Sequence, residues 1–108
     1  MNKVELKKKI EEVLRVPVYD DGGSITYPSV TVAMTQNAPG ILGDGKSLSR
    51  VFGVKVDLWY LTEEGRDQAE SLIYDMLEKM DGVTTPDIIS VFDTQARKYR
   101  ATFDFEMI

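Results

Sequence analysis

Hydrophobic and polar positions alternate along this chain with two different periods. Period two is clearest in VFGVKVDLWY, residues 51–60. Phe52, Val54, Val56, Leu58 and Tyr60 fall on one face there, and Lys55 and Asp57 on the other, the pattern of a half-buried strand. KYRATFDFEM, residues 98–107, repeats it. Tyr99, Ala101, Phe103, Phe105 and Met107 point one way; Lys98, Arg100, Thr102, Asp104 and Glu106 point the other. YPSVTVAM, residues 27–34, predicts another strand, with Val30, Val32 and Met34 on one face. Pro28 near its start suits a first residue or an edge, because proline cannot donate to a ladder. Pro86 precedes a short strand over residues 88–92, and residues 93–96 read as a turn.

Helical spacing rules two other stretches. Leu6, Ile10, Val13 and Leu14 recur on one side of a helix over residues 2–15, which Pro17 stops. Lys7, Lys8 and Lys9 form a basic run on its solvated side, paired in part with Glu11 and Glu12. The second helix starts at Thr62, a good N-cap, with Glu63 and Glu64 at the positive end of its dipole. Ala69, Leu72, Ile73, Met76, Leu77 and Met80 make its apolar stripe, Gly65 weakens its first turn slightly, and Gly82 offers a left-handed cap. Both methionines read as core filling.

The element order is α-β-β-α-β-β, apart from any short strand near Val18. Strands with one apolar face each predict an α+β domain, a mixed or antiparallel sheet with both helices on its apolar face. The other face is then open and charged. Trp59 and Val51 interrupt its polarity; a large aromatic there hints at cover from a loop or a neighbouring subunit, beside the plainer reading of a singly exposed Trp.

Composition sets bounds on function. A chain of 108 residues makes a single domain with one modest core. Its 18 acids against 13 bases argue against a dedicated duplex-DNA binder. It has no cysteine and no histidine, so the commonest metal ligands and the commonest general base are missing. Small secreted domains are more often stapled by disulfides, so a cytosolic origin is favoured. No apolar run is long enough to span a membrane, and the N-terminal lysines lead into no signal-peptide pattern.

Residues 35–50 form a long glycine-rich loop and contain a formal phosphate-loop match, GILGDGKS. That motif needs a helix starting at Lys46-Ser47, so that backbone N–H groups face the phosphates. Only Leu48, Ser49 and Arg50 separate it from the strand, and Asp44 would set a like charge against phosphate. Partner contact is the better role for so long a loop, with Gly40, Gly43, Gly45 and Lys46 as contact candidates beside Trp59. Asp20-Asp21-Gly22-Gly23 reads as a turn; the further acids of a calcium loop are missing. Asp104 and Glu106 share a face with Asp57, which resembles a Mg²⁺ site only loosely; alternating charge is the ordinary dress of a solvated strand. No cofactor, metal or catalytic residue is expected.

The layout as a whole resembles the tail-terminator and head-to-tail joining proteins of long-tailed bacteriophages and prophages. The likeness rests on an N-terminal helix, the YPSVTVAM strand, a long loop, VFGVKVDLWYLT, the helix RDQAESLIYDMLEKM and a closing hairpin ending KYRATFDFEMI. It implies a structural, non-enzymatic virion protein: a homo-oligomeric ring, typically a hexamer, that caps the tail tube and docks to the head connector. The implied partners are further copies of the chain, the tail tube protein and connector proteins, with no sequence-specific nucleic acid binding and no membrane. The implied location is the bacterial host cytoplasm during assembly and then the tail–head junction. The residues themselves leave two other readings open, a non-viral adaptor using Lys7–Lys9 or the glycine loop, and a nucleotide- or metal-dependent enzyme.

Overall fold

A computed structural model describes residues 2–20, 26–37 and 51–108. The fold is α+β, with two helices and a five-stranded mixed sheet among these residues. The helices are α1 (Lys3–Leu14) and α2 (Glu63–Glu78). The strands are β1 (Val18–Asp20), β2 (Ser29–Asn37), β3 (Val51–Tyr60), β4 (Asp87–Asp93) and β5 (Lys98–Met107). They lie in the order β1-β2-β3-β5-β4, with β1 parallel to β2 and all other neighbours antiparallel.

The two strongly alternating segments form the centre. Registers across them set Val32, Val56, Phe103 and Ile88 in one apolar row, and Val30, Leu58 and Ala101 in the next. Phe103, Val32 and Leu58 are fully buried under Leu6 and Ile10 of α1 and Ile73 of α2. Burial of each such side chain stabilises the fold by about 1.5–3 kcal/mol.

Caps define the helices. Asn2 Oδ1 accepts from Glu5 N at 2.8 Å, so Asn2 is the cap of α1 rather than its first residue. Arg15 closes α1 in the left-handed region at φ 56°, one residue before the Val16-Pro17 restriction acts. Thr62 caps α2 as its sequence predicts, accepting from Gly65 N at 3.0 Å. Gly65 is more than a weak helix former: a Cβ there would stand 3.0 Å from Thr62 Oγ1 and 3.3 Å from the Tyr60 ring. The helix start therefore packs closely onto the end of β3. Gly82 takes φ 76° in the turn beyond α2, and its carbonyl accepts from Ile108 N at 2.9 Å.

Several expectations need correction. A short β1 extends the order to α-β-β-β-α-β-β, because Val30 N finds an acceptor in Pro17 O at 2.9 Å. β2 starts at Ser29, after a cis Tyr27-Pro28 bond, and continues to Asn37. The expected loop over residues 35–50 thus loses its first residues to a ladder that runs to Asn37↔Val51. The remainder, including Gly40, Gly43, Gly45 and Lys46, lies outside the described residues, as does most of the Asp20–Gly23 turn. On α2 the buried stripe is Arg66, Ala69, Ile73 and Leu77, so the helix is rotated and Leu72 stands 48% exposed. Val13 of α1 is likewise exposed. Lys7 reaches across to Asp20 at 3.1 Å, as does Lys3 at 3.0 Å, so Lys7 of the basic run is anchored to β1, and among the described residues no ion pair joins the run to Glu11 or Glu12.

Candidate functional site

The sheet face turned away from α1 and α2 holds Trp59, the described member of the predicted contact set. Four cross-strand rows build it. Ser29, Trp59, Arg100 and Val91 form one, and Thr31, Asp57, Thr102 and Ile89 the next. Then come Ala33, Lys55, Asp104 and Asp87, and finally Thr35, Gly53 and Glu106.

The first two rows are not the open, charged surface that alternation predicts. Ser29 is 0% exposed, Thr31 6%, and Asp57 and Thr102 7% each. Trp59 covers part of this layer and donates from Nε1 to Thr31 Oγ1 at 3.1 Å. The Thr102 hydroxyl donates to Asp57 Oδ1, which offsets the cost of burying a carboxylate. Part of the cover over Trp59 comes from within the chain, and the indole stays partly exposed. Tyr27 meets the indole edge-to-face at 6.2 Å, and the Arg100 guanidinium lies 5.5 Å from its centroid. Lys98 Nζ sits 4.8 Å from the Tyr27 ring. These cation–aromatic contacts form a ladder across the top of the face. Asp93 holds Arg100 at 3.4 Å and also caps the β4–β5 turn, accepting from Gln95 N and Ala96 N at 3.0 and 2.9 Å. Ser29 Oγ and Arg100 Nε are buried and have no hydrogen-bond partner among the described residues.

The last two rows are solvated. With Thr84 and Thr85 they line an open depression of about 630 Å³, in which Asp87, Asp104 and Glu106 outnumber Lys55. Asp57 is tied to Thr102 in the neighbouring row and does not join them. Among the described residues no three His, Cys, Asp or Glu side chains converge for a metal ion. The depression is an acidic, shallow surface suited to a polar contact.

Sequence reasoning missed Arg66 and Tyr27. Arg66 is a charged residue on the buried stripe of α2, 9% exposed. It donates to Val91 O at 3.3 Å and to Asp67 Oδ1 at 2.9 Å, and lies 5.7 Å from the Tyr99 ring. It thereby fastens α2 to the β4–β5 hairpin. The signal was its position, three residues before Ala69 on the Ile73–Leu77 line. Burial raises the Tyr60 hydroxyl above its ordinary pKa. The phosphate-loop match lies outside the described residues, which end at Asn37 and resume at Val51 there.

No protein-family profile matches the chain, and a search of curated proteins finds no match. No helix among the described residues is long and apolar enough to cross a membrane.

Proposed function

We propose that the chain is a structural subunit of a ring that terminates the tail tube of a long-tailed phage and joins it to the head connector. The observation that carries this reading is the one-sided architecture: helices cover one face of the sheet, while the other presents an ordered surface around Trp59 and an acidic depression. That surface gives a neighbouring subunit something to seat against. The likeness in element order and strand phrases supplies the assembly in which such a subunit would work. The acids Asp87, Asp104 and Glu106 suit a surface near passing DNA, since like charge keeps the genome from adhering. The residues around 40–47 are assigned to contact with tube or connector.

Light scattering of the purified chain, alone and with tail tubes, together with imaging of tube ends, tests this. The expected result is a ring of several copies when tubes are present, with density at one end of the tube. A chain that stays monomeric and never binds a tube end would refute it.

A further inference from the structure

β4 is an open edge of the sheet, and parity along the strands shows which of its backbone groups are free. Consecutive residues of a strand send their N–H and C=O to opposite sides. Val30 sends its N–H to the β1 side, to Pro17 O, so Ser29 and Thr31 address β3 through Trp59 and Asp57. Leu58 and Val56 then address β5 through Ala101 and Phe103, and Arg100 and Thr102 address β4 through Val91 and Ile89. Thr84 N bonding Glu106 O at 2.9 Å, on the same side, agrees with this parity. Ile88, Ser90 and Phe92 therefore point their N–H and C=O away from the sheet, with no strand beside them among the described residues.

β4 also reads nearly the same in both directions. Its sequence, DIISVFD, places an acid, two apolar residues, a central serine, two apolar residues and an acid. We infer that this edge pairs antiparallel with β4 of a second copy of the chain, about a two-fold axis at Ser90. In that register Ile88 faces Phe92 of the second copy, and Ser90 faces its own counterpart. These are the residues whose backbone groups point outward, so every free N–H on the edge meets a free C=O. Side chains match on both faces. Ile88 lies beside Phe92 over the helix side, and Ile89 lies beside Val91 on the other. Ile89 is 59% exposed and Phe92 47%, and both are covered by the pairing. Aromatic and β-branched neighbours are favourable cross-strand pairs. α2 packs over β3 and β5 and meets β4 through Arg66, at the inward-facing Val91 carbonyl, and through Glu70, which accepts from the Ser90 hydroxyl and flanks the axis. Asp87 faces Asp93 at each end, where Arg100 offsets the like charges from 3.4 Å. A slipped register would set these acids against apolar residues, so the acids select a single alignment. The contact is isologous and closes at two copies. It concerns the free chain and does not depend on the ring reading, since a polar ring contains no such axis.

Amide exchange and sedimentation of the full chain across a dilution series test the pairing. The expected species has twice the 12.2 kDa chain mass. The amides of Ile88, Ser90 and Phe92 should gain protection as it forms. Ser90→Pro removes an outward N–H and spares the β4–β5 ladder, so it should weaken the dimer by about tenfold or more while the monomer still folds. Ile89→Lys, at an exposed site, should do the same if the proline variant unfolds, and tube-end binding should survive it. A dimer in which those three amides exchange as fast as in the monomer overturns the inference. So does a chain that never dimerises, or one whose dimer is indifferent to Ile89→Lys.

Discussion

The two faces of the sheet are both largely buried at the centre, and they achieve it by opposite chemistry. Beneath the helices, Val56, Leu58 and Phe103 pack as a continuous apolar layer with Ile73 and Leu6. On the other side, Ser29, Thr31, Asp57 and Thr102 are nearly as inaccessible, yet every one carries a polar group. The apolar layer is held by area removed from water and tolerates small shifts in geometry. The polar layer is held by particular bonds, Trp59 to Thr31 and Thr102 to Asp57, and loses most when one partner goes missing. Burial and hydrophobicity are therefore separate properties of this sheet.

The strongest challenge to that contrast is Phe103→Ala. The ring is fully buried between the central strands and the helices, so the loss should be about 3–5 kcal/mol by urea denaturation. On the opposite face, Thr102→Val should cost about 1–3 kcal/mol, because it leaves the Asp57 carboxylate buried without its donor. Adding Asp57→Val should recover much of that loss, since removing both partners leaves nothing unsatisfied. A double variant as unstable as the sum of its single variants would mean that the polar layer is not held by this pair. Trp59→Phe should cost about 1 kcal/mol through the lost bond to Thr31, with a matching fall in melting temperature.

The smallest effect belongs to Asp20, outside either layer. Hydrogen bonds from Lys3 and then Lys7, reinforced by their charges, hold its carboxyl below the usual carboxylate range. A depressed folded pKa means a contribution present above the unfolded value of about 3.9 and lost as pH falls through the folded pKa. The site is fully solvated, so salt should screen it. Asp20→Asn should flatten the low-pH end of the stability profile at low salt and leave it unchanged at high salt, as thermal melts across pH would record.

The apolar layer was legible in the sequence because alternation encodes it directly. β3 and β5 fall where the pattern puts them, and Thr62 is the cap of α2. The polar layer was not legible, because Thr31, Asp57 and Thr102 look like solvated positions. Only Trp59 signalled cover, and the covering residue, Tyr27, read as part of a strand. β1 has three residues, too few for a period to show. The end of β2 carries Thr35, Gln36 and Asn37, whose polarity reads as loop although their backbones pair with β3. The rotation of α2 follows from Arg66, whose stem packs inward while its guanidinium finds Asp67 and Val91. Period alone gave no reason to prefer that stripe over one through Leu72.

β5 lies between β3 and β4, so neighbours in space are not neighbours in the chain. The β4–β5 hairpin closes over a short turn, whereas the β3–β5 seam joins segments separated by α2 and β4. Neither the β2–β3 pair nor the β4–β5 hairpin shields its apolar side until that seam closes. Closing it carries the loop entropy of everything between and is rewarded only when the helices settle over the result. The seam should therefore govern the rate at which the chain folds. Val56→Ala, within it, should slow refolding, while Ile88→Val, on the outer strand, should mainly quicken unfolding, and chevron plots of the two variants would separate these effects.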